Sequence, residues 1–436
     1  MIKQKKKKKK KKKNNNENQN TITSSTEPLE NKYRSLIKYD ENVTITNTRF
    51  QDNSMLRLIG NWEEAKDPST WKQTNFPTKS IDDQFEKLEE FPQGKILEYG
   101  EKGIWRSTNE PAKEREKNYE FQIQCMRKSA ECHRQIRKYA QTILRPGIKL
   151  IDFCEKLELM LKFITNARGT ECGQAFPTGC SINHVAAHYT PNKGDETVLN
   201  YDDVCKIDFG THINGYLIDS AFTVAFNPKY DNLLLASKEA TNAGIKAAGV
   251  DARMGEIGGV IQEVIESFEI ELDGKTHKIK PVRNLCGHTV MQYKVHGGKS
   301  VPIVKSEDNT KMEEGEMYAI ETFVSTGKGF VKETKNWSHY MKDPFAFNNT
   351  KIKPEQPRAL FKFIDKHFTT LAFCPRWIEE KGFTNYSHPL KYLCDYGMVN
   401  PYPPLSDIEG SYVAQFEHTF MLKPTCKEIF SVGDDY

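Results

Sequence analysis

The sequence predicts an α+β protein, because helical and strand-like patterns of apolar residues occupy different parts of the chain. Over residues 119–143 the apolar side chains recur at helical intervals, and Pro146 followed by Gly147 ends the pattern. Residues 150–164 carry a second apolar stripe, typical of a helix that is buried on one side. After Gly169 the chain changes to short runs rich in β-branched and aromatic residues, which predict strands separated by turns.

Two further helices are predicted over residues 231–248 and 254–268. The predicted strands cover 204–209, 217–226, 301–304, 317–324 and 413–422. Between residues 348 and 402 a helix-like stretch separates strand-like segments, and its apolar face carries Leu360, Phe361, Ile364 and Phe368. We therefore predict a folded domain over 76–436 that contains an inserted helical subdomain at 348–402.

Residues 1–75 are predicted to form a disordered, basic tail and linker. Lys5 to Lys13 form an unbroken run that is followed by an Asn-rich stretch with no apolar surface to bury. With Lys3 this run carries ten positive charges, and removing these ten from the net charge of +4 leaves −6 for the rest of the chain. Such a tail attracts polyanions such as RNA, although a solvated solubility or localisation tag would have the same composition.

The chain has the features of a cytoplasmic protein. Its ten cysteines contain no Cys-x-x-Cys pair, and no apolar segment follows the charged start as it would in a signal peptide. No apolar run approaches the roughly 18 to 20 residues that a membrane-spanning helix needs. We expect reduced thiols and no membrane partner.

Two aspartates are predicted to lie on one face of a β-hairpin. If Asn214 and Gly215 form a two-residue turn, Asp208 faces position 221 and Asp219 faces Gly210. Because side chains alternate between the two faces of a strand, both carboxylates then lie on the same side. Carboxylates this close repel each other, so the pair is either a metal site or a solvated pair of surface acids.

Three later segments favour the metal site. Each places a potential ligand among strand-forming neighbours, and these ligands are His288, Glu321 and Glu417. An acid next to Ile320 or Phe416 in a strand is costly to bury without a partner. Four carboxylates and one neutral imidazole would balance two divalent ions, and a shell of oxygens with one nitrogen suits Co, Mn, Fe or Zn.

At these residues the sequence resembles the type II methionine aminopeptidases of eukaryotes. The resemblance covers about residues 76–436 and is closest over 175–192, 202–230, 275–305 and 401–436. It implies the pita-bread fold, in which two similar α+β halves enclose the metals, with a helical insertion after Tyr340. It also implies that Asp208 binds one metal, that His288 and Glu321 bind the other, and that Asp219 and Glu417 bridge the two.

The resemblance assigns roles to three more histidines, which composition alone would place in the core or on the surface. His188 would stand at the pocket, where fumagillin-type epoxides alkylate it, and His296 would hydrogen-bond the scissile amide. His339 would line the methionine pocket, whose other residues would be Phe176, Gly179, Val295, Ala372 and Tyr402. Val295 is smaller than the Ile that the family often has there.

The function that the resemblance implies is removal of the initiator methionine from nascent proteins and peptides with a small second residue. A hydroxide bridging two divalent ions would attack the peptide carbonyl, and Glu321 would manage the proton. We expect a monomer that binds nascent polypeptide N-termini. Two alternatives stay open, which are an X-Pro-type aminopeptidase of the same fold and a protein that binds ribosomes or a translation initiation factor through its basic tail.

Overall fold

The computed structural model describes Pro77, residues 79–346 and 352–433, Asp435 and Tyr436. The predicted tail at 1–75 lies outside the described residues, as do residue 76 and the first four residues predicted for the insertion. Within the described residues no helix is both long enough and apolar enough to cross a bilayer.

Nine α-helices occupy the described residues, and the longest follow the predicted segments. They are α1 (Ile81–Gln84), α2 (Glu110–Glu116), α3 (Glu120–Ile143), α4 (Leu150–Ile164), α5 (Asp231–Ala247), α6 (Met254–Glu266), α7 (Glu355–Phe368), α8 (Pro375–Glu380) and α9 (Ser387–Asp395). Short 3-10 turns cover Leu88–Glu90, Ile104–Thr108, Lys117–Tyr119 and Pro228–Tyr230.

The strands of the described residues are mostly short, and the longest are again the predicted ones. They are β1 (Lys95–Leu97), β2 (Cys172–Ile182), β3 (Val185–Ala187), β4 (Val204–Ile213), β5 (Tyr216–Ala225), β6 (Glu269–Leu272), β7 (Lys275–Lys278), β8 (Lys280–Pro281), β9 (Cys286–Val290), β10 (Ser300–Pro302), β11 (Met317–Ser325), β12 (Lys332–Glu333), β13 (His339–Lys342), β14 (Ala372–Phe373), β15 (Val399–Tyr402), β16 (Leu405–Ser406), β17 (Val413–Leu422) and β18 (Lys427–Ile429).

Two helix-backed sheets form the body of the molecule, which confirms the α+β prediction and the pita-bread fold. The first sheet has the order β2-β4-β5, and α3 and α4 pack against it. The second sheet has the order β1-β18-β17-β11-β9-β10, with β8 beside β11, and α5 and α6 pack against it. The apolar faces of these helices and sheets merge into one large core.

The hairpin of β4 and β5 has the predicted register. Asn214 and Gly215 form its turn with φ angles of 49° and 77°, as a two-residue type I′ turn requires. Asp208 pairs with Ala221, and Gly210 pairs with Asp219. The prediction that both aspartates lie on one face is therefore confirmed.

Side-chain hydroxyls of β5 and β17 join the two sheets. The Thr419 hydroxyl accepts a hydrogen bond from the backbone N–H of Asp219 (2.8 Å) and donates to the Asp219 carbonyl (2.6 Å). The Ser220 hydroxyl donates to the Glu417 carbonyl at 2.7 Å, and the Thr223 hydroxyl bridges the backbone of Gln415. We call these three residues, Thr419, Ser220 and Thr223, the hydroxyl bridge.

Residues 352–399 have a small hydrophobic core of their own. Helices α7, α8 and α9 pack around Leu360, Phe373 and Trp377, together with Tyr340 of β13. Strand β13 lies between β14 and β15 in a separate three-stranded sheet. Because residues 347–351 lie outside the described residues, the limits of 348–402 for a subdomain stay a prediction.

Replacing Thr419 with Val is expected to destabilise the fold. Valine has nearly the same shape, but it leaves the buried N–H and carbonyl of Asp219 without their partner. Each unsatisfied buried group costs about 1–3 kcal/mol, so the free energy of unfolding should fall by roughly 2–4 kcal/mol in a urea titration. Thr419→Ser keeps the hydroxyl and should lose less than half as much; equal losses in the two variants would contradict the role of the hydroxyl bridge.

Candidate metal centre and substrate pocket

Five strands bring the predicted ligands to one place. The ligands are Asp208 on β4, Asp219 on β5, His288 on β9, Glu321 on β11 and Glu417 on β17. Glu321 and Glu417 are direct cross-strand partners, while His288 pairs with Ala319, two residues before Glu321. Because residues two apart share a face of a strand, these three side chains lie on the same side of the second sheet. The hydroxyl bridge brings the aspartates of the first sheet up to them.

The distances between the ligands are short enough for metal binding. One ligand atom from each of Asp219, His288 and Glu417 lies within 4.8 Å of the other two. The Nε2 atom of His288 is 3.6 Å from Asp219 Oδ2 and 3.9 Å from Glu321 Oε1. The Nδ1 atom of His288 is 3.2 Å from the Thr289 carbonyl. Since a carbonyl can only accept, Nδ1 carries the proton and Nε2 presents its lone pair to the carboxylates.

The carboxylates cannot all be ionised at neutral pH without a cation. Burial raises the pKa of Asp208 to about 7, although a hydrogen bond from Gln415 acts in the opposite direction. Burial and the neighbouring carboxylates raise the pKa values of Asp219, Glu321 and Glu417 well above the ordinary range. These shifts describe the metal-free site, where each ionised carboxylate repels the others.

Unpaired carboxylate oxygens show that the site fits divalent cations. Both Glu417 oxygens and Oδ1 of Asp208 are buried and have no hydrogen-bond partner in the described part of the chain. Buried charged oxygens are normally paired, and leaving them unpaired is costly. The oxygen-rich set with one imidazole nitrogen matches divalent transition metals.

Gln415 is a residue of this site that the sequence analysis missed. Its side-chain amide donates to Glu321 Oε2 at 2.9 Å and to Asp208 Oδ2 at 3.3 Å. It therefore joins a ligand of the first sheet to a ligand of the second. Gln415 lies two residues before Glu417 and therefore on the same face of β17. This spacing is the sequence feature from which its place in the site could have been predicted.

The three further histidines surround the centre. The rings of His288 and His296 have centroids 4.5 Å apart, while those of His188 and His339 are 6.1 Å apart. Burial is the main cause that lowers the pKa of His188 to about 3 and that of His339 to about 4, and desolvation also lowers the pKa of His296. All three are therefore neutral at physiological pH, and each neutral ring can donate one hydrogen bond and accept another.

One cavity contains every predicted site residue. Its apolar part is lined by Phe176, Gly179, Val295, Ala372 and Tyr402, and also by Leu285, Phe323 and Met341, which the sequence analysis did not single out. Gly210 makes this wall possible, because a Cβ atom there would lie 2.4 Å from the Phe176 ring. The chemical roles of the individual residues stay predictions.

Comparisons with known proteins agree with this geometry. The model of metallopeptidase family M24 matches residues 124–423. Methionine aminopeptidase 2A of Arabidopsis thaliana is 52% identical over 347 residues, which are 80% of this chain and 78% of that protein. Methionine aminopeptidase 2 of Dictyostelium discoideum is 51% identical over 369 residues, or 85% and 84%. The structure of a thermophilic Arx1, 19% identical with a TM-score of 0.58 over 69% of this chain and 88% of that chain, is similar in fold.

Binding of a divalent ion is expected to tighten as the pH rises from about 6 to about 8. The carboxyl pKa values are raised in the metal-free protein, so bound protons must leave before the ligands can hold the ion. Loss of one proton per ion makes binding about tenfold tighter per pH unit. The measurement is the increase in melting temperature caused by a fixed excess of Mn²⁺.

At each pH the melting temperature is measured with and without Mn²⁺, and the difference between the two values removes the contributions of other buried titrating groups. Asp208→Asn should reduce both the stabilisation and its pH dependence, while Asp202→Asn, at an exposed ion pair with Lys229, serves as the control. Stabilisation by Mn²⁺ that does not change over this pH range would contradict the predicted loss of protons.

Proposed function

This chain belongs to metallopeptidase family M24 and, within it, to the methionine aminopeptidase 2 proteins, and from this membership we propose how its cavity removes an N-terminal methionine. The chain is an aminopeptidase, a hydrolase that acts on the N-termini of polypeptides. The observation that carries the proposed mechanism is the convergence of two buried carboxylates (Asp219 and Glu417), two half-buried carboxylates (Asp208 and Glu321) and one imidazole beside an apolar pocket.

The proposed centre holds two divalent ions of the Co, Mn, Fe or Zn class. Asp208 would hold one ion, His288 and Glu321 would hold the other, and Asp219 and Glu417 would serve both. The charge of four carboxylates balances two such ions, and the unpaired oxygens of Asp208 and Glu417 supply free ligand positions. When bound, the ions supply Lewis acidity that activates water at neutral pH and polarises the scissile carbonyl.

Glu321 is the proposed proton carrier. Its carboxylate lines the cavity beside His288, whose Nε2 lies 3.9 Å from Glu321 Oε1. A carboxylate in this position can accept a proton from the attacking water and return it to the leaving amine. The amide of Gln415 holds one Glu321 oxygen and leaves the other directed at the reacting groups.

The neutral histidines provide hydrogen bonds for the substrate amide. We assign the scissile carbonyl to His296 because its ring stands against His288 and is exposed to the cavity. His188 faces the centre from the other wall, with its ring 5.8 Å from the ring of Tyr402. The free amino group of the substrate lies on the Asp208 side, which restricts cleavage to the first residue.

The apolar end of the cavity accepts the methionine side chain. Phe176, Val295, Ala372 and Tyr402 supply its walls, and His339 closes one side with Nε2 at 3.4 Å from the Pro177 carbonyl. These walls suit an unbranched, polarisable thioether. A small second residue then fits where the cavity opens.

A second function is proposed for residues 1–75. The run from Lys5 to Lys13 suits binding to ribosomal RNA or to an acidic face of a translation initiation factor in the cytoplasm. In this proposal the catalytic part acts as a monomer while the tail holds the enzyme near nascent N-termini.

The chain is expected to release methionine from a Met-Ala-Ser peptide only when Mn²⁺ or Co²⁺ is present. Removing the proposed carbonyl donor by His296→Ala should lower kcat about 10²- to 10³-fold. His388→Ala, at an exposed histidine of α9, should leave the rate unchanged. Metal-loaded, folded protein that releases no methionine would overturn the proposed mechanism, and faster cleavage of Met-Pro than of Met-Ala would favour the X-Pro alternative.

Deleting residues 1–75 is expected to separate the two functions. Association with ribosomes should weaken and lose its salt dependence, because the lysine run no longer displaces counterions from RNA. Hydrolysis of Met-Ala-Ser should persist within about twofold, since every proposed catalytic residue lies beyond the deletion. Sedimentation with ribosomes at two salt concentrations and the peptide assay test this; loss of both activities together would contradict an independent tail.

A further inference from the structure

Ala372 lines the cavity and belongs to residues 352–399, the segment that has a small core of its own. Polar contacts join this segment to the body of the molecule both before and after Ala372 in the sequence. Thr370 precedes Ala372 by two residues and Arg376 follows it by four. Both contact loops that carry residues of the proposed active site. These contacts therefore join the segment that carries Ala372 to both loops.

Arg376 makes the contacts on the His188 side. Its guanidinium donates to both oxygens of the buried Glu158 carboxylate at 2.8 and 3.0 Å. It also donates to the Thr190 hydroxyl at 2.9 Å and to the Pro191 carbonyl at 2.7 Å. The planar fork of an arginine can satisfy all of these acceptors at once, whereas a lysine cannot.

The loop that Arg376 holds begins at His188. This histidine has a backbone φ of 65°, an uncommon conformation that persists only when neighbouring contacts enforce it. The Ser338 hydroxyl donates to the His188 carbonyl at 3.3 Å and accepts from the N–H of Thr190 at 3.2 Å. Ser338 thus holds His188 and Thr190, and Arg376 holds Thr190 and Pro191.

Thr370 makes the contact on the Val295 side. Its hydroxyl donates to the carbonyl of Tyr293, which itself has a φ of 57°. Tyr293 is anchored by its N–H, 2.7 Å from the carbonyl of Gly215 in the turn between β4 and β5, and by its phenol, 2.9 Å from the carbonyl of Thr170, which precedes β2. Val295 and His296 follow Tyr293 closely in sequence, so Thr370 reaches the wall of the pocket through Tyr293.

We propose that Thr370 and Arg376 are positioning residues that set the width of the methionine pocket by holding Ala372 between the His188 loop and the Val295 loop. This inference rests on the proposed function. Neither side chain lines the cavity, so both act through the residues that do. We call the contacts of Thr370 and those of Arg376 the two anchors. If either anchor is lost, Ala372 can move away from the opposite wall of the pocket, and the pocket then admits branched side chains such as leucine.

Loss of either anchor should change substrate selectivity more than it changes the stability of the fold. An ion pair such as Arg376 with Glu158 contributes little net stability, because desolvation offsets the attraction. Selectivity is more sensitive, since one methylene group in an apolar pocket changes kcat/KM by about 10- to 200-fold. A change in the ratio of methionine to leucine cleavage therefore identifies a positioning role.

The decisive experiment compares Thr370→Val with Thr370→Ser in the full-length, metal-loaded enzyme. Valine keeps the shape and removes the hydroxyl, while serine restores it. With Met-Ala-Ser and Leu-Ala-Ser as substrates, we expect the Val variant to lose about tenfold in the methionine-to-leucine ratio of kcat/KM, through KM rather than kcat. The Ser variant should stay within about twofold of the wild type.

Arg376→Lys tests the other anchor and keeps the positive charge opposite Glu158, so the buried carboxylate is not left unpaired. We expect the same loss of selectivity with the pH profile of kcat unchanged. Lys391→Ala, which removes an exposed ion pair with Asp395 on α9, is the control within the same segment. Melting temperatures measured alongside verify that each variant is folded.

The outcomes distinguish a failure of the proposed function from a failure of the positioning role. A wild-type enzyme that releases no methionine overturns the proposed function, and the pocket inference with it. A wild-type enzyme that is active and selective, with folded Thr370→Val and Arg376→Lys variants of unchanged selectivity, overturns the positioning role alone. Equal loss of selectivity in the Lys391→Ala control would also overturn it, since the effect would then not belong to the anchors.

Discussion

The hydroxyl bridge between β5 and β17 is the interaction on which the rest of the site depends. The two sheets meet there without a continuous backbone ladder, and threonine and serine hydroxyls satisfy the backbone groups that face each other. A single hydroxyl can both accept and donate, so Thr419 serves both polar groups of Asp219. Because Asp219 and Glu417 lie on these two strands, the contact that joins the two sheets also brings together the residues of the candidate metal centre.

The carboxylates of the centre impose the second constraint. Burial makes their ionised forms unfavourable, and proximity makes them repel, so the metal-free site holds protons that divalent ions must displace. The amide of Gln415 relieves part of this repulsion by donating to Asp208 and Glu321. The fold thus keeps a cluster that is unfavourable in the metal-free protein and that divalent ions would stabilise.

Much of the fold was predictable because its longest elements have strong local signals. The helices over 120–143 and 150–164 follow apolar periodicity, and the Asn214-Gly215 turn determined the register of its hairpin. The helix predicted to reach residue 268 ends at Glu266, and the strand predicted over 301–304 is Ser300–Pro302. The short strands such as β3, β14 and β16 were not predicted, because two or three residues show no period and depend on their neighbours.

By itself the sequence determined which residues could bind metal and that Asp208 and Asp219 share a face, since turn chemistry and the period of a strand are local properties. The resemblance to the type II methionine aminopeptidases identified His188, His296 and His339 as pocket residues. Only the tertiary structure decided that Gln415 links two ligands and that Arg376 meets Glu158 across 218 positions of the chain. Such contacts are set by how sheets and helices pack, and no pattern along one segment contains that information.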